Sequence, residues 1–150
     1  MNNITCKETP NEQVILRFLA EPSDVNFGGK VHGGEVMKWI DQAGYTCAVG
    51  WSGRYCVTAY VGGIQFLKPI RIGALVEADA RVIYTGRSSM HVSVDIHATN
   101  LVTGDKSQTT QCIMIFVSVD EDGRPVPVRT WIPKSEDEKK REEYAKKLVE

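Results

Sequence analysis

Apolar and polar positions follow two different periods along this chain, and the change of period marks where one kind of element gives way to another. Val14 to Ala20 (VILRFLA) is an apolar run of strand length, and the loop EPSDVNFGGKVHGG after it is dense in turn-formers. From Val36 the period becomes helical. Val36, Ile40, Ala43, Cys47 and Trp51, with Met37, Gly44 and Ala48, recur at three- and four-residue spacing and form one apolar face. The small residues Ala43, Gly44 and Ala48 allow this helix to lie close to another surface, and Gly50 and Gly53 end it.

Beyond the helix the pattern is that of strands. Tyr55 to Leu67 is rich in β-branched and aromatic residues, with Gly62-Gly63 marking a bulge or close backbone contact and Pro69 ending the run. Val76, Ala78, Ala80 and Val82 alternate with Glu77, Asp79 and Arg81. Val92, Val94, Ile96 and Ala98 alternate with His91, Ser93, Asp95 and His97. This period of two predicts a sheet with one covered face and one more polar face, which places His91 and His97 at the surface. Gly86-Arg87 and Thr103-Gly104-Asp105 supply hairpin connections. Thr109 to Val119 is apolar almost throughout, as in a strand buried on both faces.

One long helix thus precedes four long antiparallel strands, an α+β arrangement. An apolar helix face and an apolar sheet face must cover one another, so the pattern predicts a sheet wrapped round a single helix. The sheet edges remain, and pairing two such sheets edge to edge protects them. Residues 1–133 form the one domain. Residues 134–150 are charged, with little apolar surface beyond Tyr144, Leu148 and Val149, and read as a solvated terminal helix.

Composition narrows the class. A chain of 150 residues fits one domain and buries about two thirds of its unfolded surface, so it folds without metal or disulfide. The net charge of -1 lacks the basic excess of a nucleic-acid binder. The four cysteines, Cys6, Cys47, Cys56 and Cys112, form no CxxC pair and no zinc spacing with histidine. Three of them lie in apolar stretches and read as small buried residues in a reducing compartment. The N-terminus MNNITCKETP is not a signal peptide, and no apolar run has the length to span a membrane, so the sequence reads as cytoplasmic.

The segment PSDVNFGGKVHGGEVMKWIDQAGYTCA resembles the signature of the acyl-CoA hydrolase family of hotdog thioesterases: an acidic-x-Asn stretch, a glycine, a Gly-Gly helix start and M-x-x-x-D on the helix. GGIQFLKPIRIGALVEADARV and YTGRSSMHVSVDIHA also look like the family's strands, and the resemblance covers roughly residues 12 to 128. It implies the hotdog fold, a long antiparallel sheet round one central helix. It further implies hydrolysis of acyl-CoA without a cofactor, and dimers that assemble further, often as trimers of dimers. The family's catalytic pair maps by motif onto Asn26 and Asp41. One departure is His32, where many members carry a large apolar residue before the two glycines.

The residues themselves carry part of this chemistry. Thioester hydrolysis needs an activated water or a nucleophile, and an oxyanion stabiliser. Asp41 falls on the flank of the apolar helix face, where partial desolvation makes a carboxylate a better base; a border carboxylate in an ion pair fits the same position. Asn26 can orient the water or the thioester carbonyl, or can simply be a turn residue. Asp24 is a competing carboxylate that can instead brace the loop. Gly33 and Gly34 leave free N–H groups at a helix start, an oxyanion site, or merely turn the chain. Gly86, Arg87, Ser88 and Ser89 suit a phosphate of coenzyme A, or make an ordinary polar hairpin, with Lys68 and Arg71 as weaker cationic candidates.

Two other functions share this outline. A hydroxyacyl dehydratase uses a histidine with a carboxylate, and His32 keeps that idea alive, but the dehydratase's proline-rich motif is absent. A non-catalytic acyl-CoA sensor usually carries a DNA-binding segment and lacks the carboxylate.

Overall fold

The helix that the spacing predicts runs further than its glycines suggest. In the computed structural model, which describes residues 11–148, α1 spans Gly33–Ser52. Gly50 lies inside it; Gly53 alone ends it, in the left-handed region at φ 70°, its N–H donating to the Val49 carbonyl. The buried face is Val36, Trp39, Ile40, Ala43, Gly44, Cys47, Ala48 and Trp51. Trp39, outside the predicted stripe, stacks on Phe18 with ring centroids 5.5 Å apart. Met37, inside that stripe, is 45% exposed.

Among the described residues, five strands form one antiparallel sheet in the order β1-β3-β4-β5-β2. They are β1 (Gln13–Leu19), β2 (Cys56–Phe66), β3 (Leu75–Thr85), β4 (Ser89–Thr99) and β5 (Lys106–Ser118). Register follows the alternation read from the sequence: Ala78 faces Ile96, Ala80 faces Val94 and Val82 faces Val92. These residues, with Met114 and Phe116 of β5, are fully or almost fully buried beneath α1, which lies across all five strands. Each such large side chain contributes about 1.5–3 kcal/mol of burial. The approach is closest at Gly44, where an added Cβ would sit 2.9 Å from Met114 Sδ and 3.0 Å from Phe116 Cε2. β2 shifts register twice, between Thr58 and Tyr60 and between Gly62 and Gln65, so the predicted irregularity at the glycine pair is present.

The outer face departs from expectation. β5 alternates buried Cys112, Met114 and Phe116 with half-buried Ile113, Ile115 and Val117, so it is not buried on both faces. α2 (Glu136–Lys147) begins at a Ser135 cap whose hydroxyl accepts the Glu138 N–H. Its i,i+4 pairs, such as Arg141–Asp137, fit the solvated helix foreseen, but it is not wholly solvated. It packs on β3, buries Ala145 and carries Lys146 Nζ 5.7 Å from the centre of the Tyr84 ring. Apolar and aromatic residues on the outer face require this cover. His91 is accordingly not a surface residue. It is 1% exposed and edge-on to Tyr84 at 5.1 Å, and neither ring nitrogen has a partner among the described residues.

Candidate active site

Asp41 stands on the flank of α1 that β2 passes. Its Oδ1 accepts a hydrogen bond from Thr58 Oγ1 at 3.3 Å. Thr58 pairs with Phe116 on the helix-facing side of the sheet, just before the first register shift of β2, and so reaches the carboxylate. Nothing in a period-two pattern singles out this threonine; only the crossing of β2 over the helix does. Asp41 itself is exposed, not partly desolvated as its flank position suggests, because no second element covers it in the single chain.

The loop before α1 is a small hairpin closed by the Val25–Val31 bridge. Asn26 sits in its turn. Its Oδ1 accepts from the N–H groups of Gly28 (2.9 Å) and Lys30 (3.3 Å), so the turn reading is realised. The same bonds fix the amide, because an oxygen committed to two backbone donors leaves the NH2 pointing outward as a donor. Asp24 braces the loop, its Oδ2 accepting from Glu21 N–H at 2.8 Å and its backbone carbonyl from His32 N–H, also at 2.8 Å. Gly33 and Gly34 open α1 after His32, whose exposed side chain makes no cap. Among the described residues neither glycine N–H has an acceptor. A cavity of about 290 Å³ lies beside them, lined by Val31, Gly33, Val36, Phe66 and Ile70 among others.

These groups do not all meet within one chain. Gly33, the first residue of α1, and Asp41 are about 12 Å apart along the helix axis at 1.5 Å per residue, and Asn26 precedes Gly33 in the chain. The Gly86–Ser89 turn lies on the Asp41 side. Ser89 pairs with Val117 of β5, and Val117 with Val57, the residue before Thr58, so two strand spacings of about 10 Å separate them. Gly86 N–H donates to the Ser89 carbonyl at 2.9 Å, and an added Cβ at Gly86 would lie 2.5 Å from Ser89 Oγ, so a larger residue there would turn that hydroxyl aside. The Arg87 side chain is exposed. Arg71 forms a backbone bridge with Lys30, and Lys68 lines the cavity beside Gly33, so both belong to the other end of the helix.

The buried thiols are not nucleophiles. Cys47, Cys56 and Cys112 are free and buried as predicted, and burial pushes Cys47 up to about 12 and Cys112 up to about 11. Cys6 lies outside the described residues. Among the described residues no helix is long and apolar enough to cross a membrane.

A long sheet curled round one helix, with a hydroxyl-bridged carboxylate on the helix flank and unpaired N–H groups at its start, defines the class as a hotdog-type hydrolase. The chain belongs to the thioesterase superfamily, whose family model matches residues 28–104. It is similar to the acyl-CoA thioester hydrolase YciA of Salmonella typhimurium, 32% identical over 127 residues that cover 83% of this chain and 96% of that protein. Its fold matches an apo hexameric acyl-CoA thioesterase with a TM-score of 0.89 at 34% identity, covering 92% of this chain and 88% of the other. It also matches the acyl-CoA hydrolase of Staphylococcus aureus, TM-score 0.84 at 29% identity, covering 92% and 84%, solved with butyryl coenzyme A, coenzyme A and coenzyme A disulfide. That hydrolase has further been solved as single alanine variants at an aspartate, an asparagine and a threonine.

Proposed function

We propose that this thioesterase hydrolyses acyl-CoA to a free acid and coenzyme A in a site shared between two copies of the chain, with Asp41 as general base. The observation that carries the reading is the Thr58–Asp41 hydrogen bond on the exposed helix flank. Asn26, Asp41 and Thr58 have the same spacing along the chain as the asparagine, aspartate and threonine varied in the Staphylococcus aureus hydrolase, which supports giving them one task.

The chemistry follows from the groups present. Thr58 fixes one carboxylate oxygen of Asp41 and leaves the other to take a proton from water as its oxygen attacks the thioester carbon. The outward NH2 of Asn26 and the free N–H groups of Gly33 and Gly34 donate to the carbonyl oxygen as it gains negative charge. Collapse of the tetrahedral intermediate breaks the C–S bond, and the coenzyme A thiolate leaves and takes up a proton. The apolar cavity beside Gly33 covers the first carbons of the acyl chain. Arg87, with Ser88 and Ser89, contacts the phosphates of coenzyme A.

Because Asn26 lies in the loop before α1 and Asp41 about two turns into that rigid helix, a two-fold dimer brings the loop of one copy to the helix flank of the other. The β2 edge is the surface for it, and three such dimers make a hexamer of the kind seen in the apo thioesterase. Free buried cysteines suit a reducing cytoplasm.

The test is release of free thiol from a panel running from acetyl-CoA to palmitoyl-CoA, with and without EDTA. At least one substrate is expected to be cleaved, at the same rate in both. A panel with binding but no release contradicts the hydrolase and favours the non-catalytic sensor.

A further inference from the structure

The turn that carries Arg87 is held from behind by a part of the chain with no role assigned so far. After β5, residues 124–134 run back across the ends of β3 and β4 as a strap. Val126 N–H donates to the Ser118 carbonyl (2.9 Å), Val128 N–H to the Arg87 carbonyl (2.8 Å) and Trp131 N–H to Thr85 Oγ1 (2.9 Å). Trp131 is buried and its indole N–H donates to Glu12 Oε2 at 3.0 Å, while the Trp51 indole N–H donates to the Arg129 carbonyl at 3.0 Å. The strap is therefore fastened to β3, to α1 and to the segment before β1.

Its effect on the turn follows from peptide geometry. Every described peptide bond is trans, and in a trans peptide the N–H points opposite to the C=O. Drawing the Arg87 carbonyl onto Val128 N–H turns the N–H of Ser88 the other way, off the strap. Among the described residues that N–H donates to no group. The Ser88 carbonyl is likewise taken, by Ser118 N–H at 2.9 Å, and the Ser89 carbonyl by Gly86 N–H. With the Arg87, Ser88 and Ser89 carbonyls engaged, the turn presents the Ser88 N–H and the Arg87 guanidinium to an anion.

We infer that Val128 and Trp131 are positioning residues for coenzyme A: through the Arg87 carbonyl and Thr85, the strap holds the turn in its phosphate-accepting form. This rests on the reading of Arg87 as a phosphate contact. Val128→Pro deletes the one N–H that meets the Arg87 carbonyl, Val128→Ile keeps it, and Thr85→Val removes the oxygen that receives Trp131 N–H. Each is assayed on an acyl-CoA and on the matching acyl-pantetheine, which lacks the distal phosphates, beside Arg87→Ala. Val128→Pro and Thr85→Val should raise KM for acyl-CoA about 3–10-fold, with kcat and the acyl-pantetheine constants within about twofold of the parent and Val128→Ile unchanged. Strap variants that leave acyl-CoA untouched, or that impair both substrates alike, overturn the inference while Arg87→Ala still discriminates between them. If Arg87→Ala itself does not discriminate, the phosphate reading fails and the inference with it. Should Val128→Pro not fold, Thr85→Val decides alone.

Discussion

Thr58 shows what a single residue adds and why it stays hidden in a sequence. Asp41 and Asn26 stand out because a motif of spaced glycines and acids surrounds them, whereas Thr58 is one β-branched residue in a strand made of such residues. Its hydroxyl matters only because β2 passes the helix at Asp41. Thr58→Val keeps the shape and removes the donor. A hydrogen bond to a charged group is worth about 1.5–3 kcal/mol, so kcat should fall roughly tenfold to a hundredfold with little change in KM, and Thr58→Ser should restore most of it. Equal rates for Thr58→Val and the parent would remove the threonine from the account. His32→Ala gives a second reading, since it abolishes a dehydratase but only weakens this thioesterase. Gly44 was legible as a small residue on a packing face, and the structure gives its reason in Met114 Sδ and Phe116 behind it. Gly44→Val should cost about 1–3 kcal/mol through overpacking, lowering Tm by about 2–4 °C per kcal/mol in a chain of this size. An unchanged Tm would mean that the helix can shift off the sheet.

At the scale of elements, the alternation in β3 and β4 and the helical stripe of α1 were readable because both faces of each contrast sharply. The misread elements are those whose second face is covered by something remote in sequence. His91 lies on the polar side of β4 by period, yet Tyr84 and α2 close over that side, so burial reverses its expected exposure. The consequence is a pH dependence. Burial disfavours the charged form and holds the imidazole below its ordinary value of about 6.5. The unfolded chain therefore takes up this proton first as the pH falls, so stability present at neutral pH is lost progressively below about 6.5. Asp95 on the same face has the opposite sign: burial raises its carboxyl, so the folded chain is protonated first and gains stability as the pH drops through the acid range. Between pH 7 and 5 the His91 effect should dominate. Thermal melts should show Tm falling over that interval, and less steeply in His91→Phe. Parallel curves would mean that His91 is protonated in place with Tyr84 still packed against it.

At the scale of the molecule, the single chain is visibly unfinished. Val57, Tyr60, Val61 and Phe66 of the edge strand β2 are each at least 40% exposed, and Met37 and Tyr45 add apolar surface on the adjoining helix flank. The sequence predicted an uncovered sheet edge, because one helix and one sheet cannot cover it, and apolar residues are exposed along β2. The edge concerned was not readable, since β2 and β1 look alike until the order β1-β3-β4-β5-β2 is known. On the proposed shared site, a second copy covers the exposed Asp41 and supplies its Asn26. The most direct test mixes two dead subunits. Asn26→Ala and Asp41→Ala, each inactive alone but assembling normally, are co-expressed with different affinity tags and purified as heterodimers, and kcat is measured. If each site takes its asparagine from one copy and its aspartate from the other, one site inherits both lesions and its twin is intact, so activity near half that of the parent is predicted. Activity no better than either single variant would place both residues in a site within one chain and contradict the shared-site account.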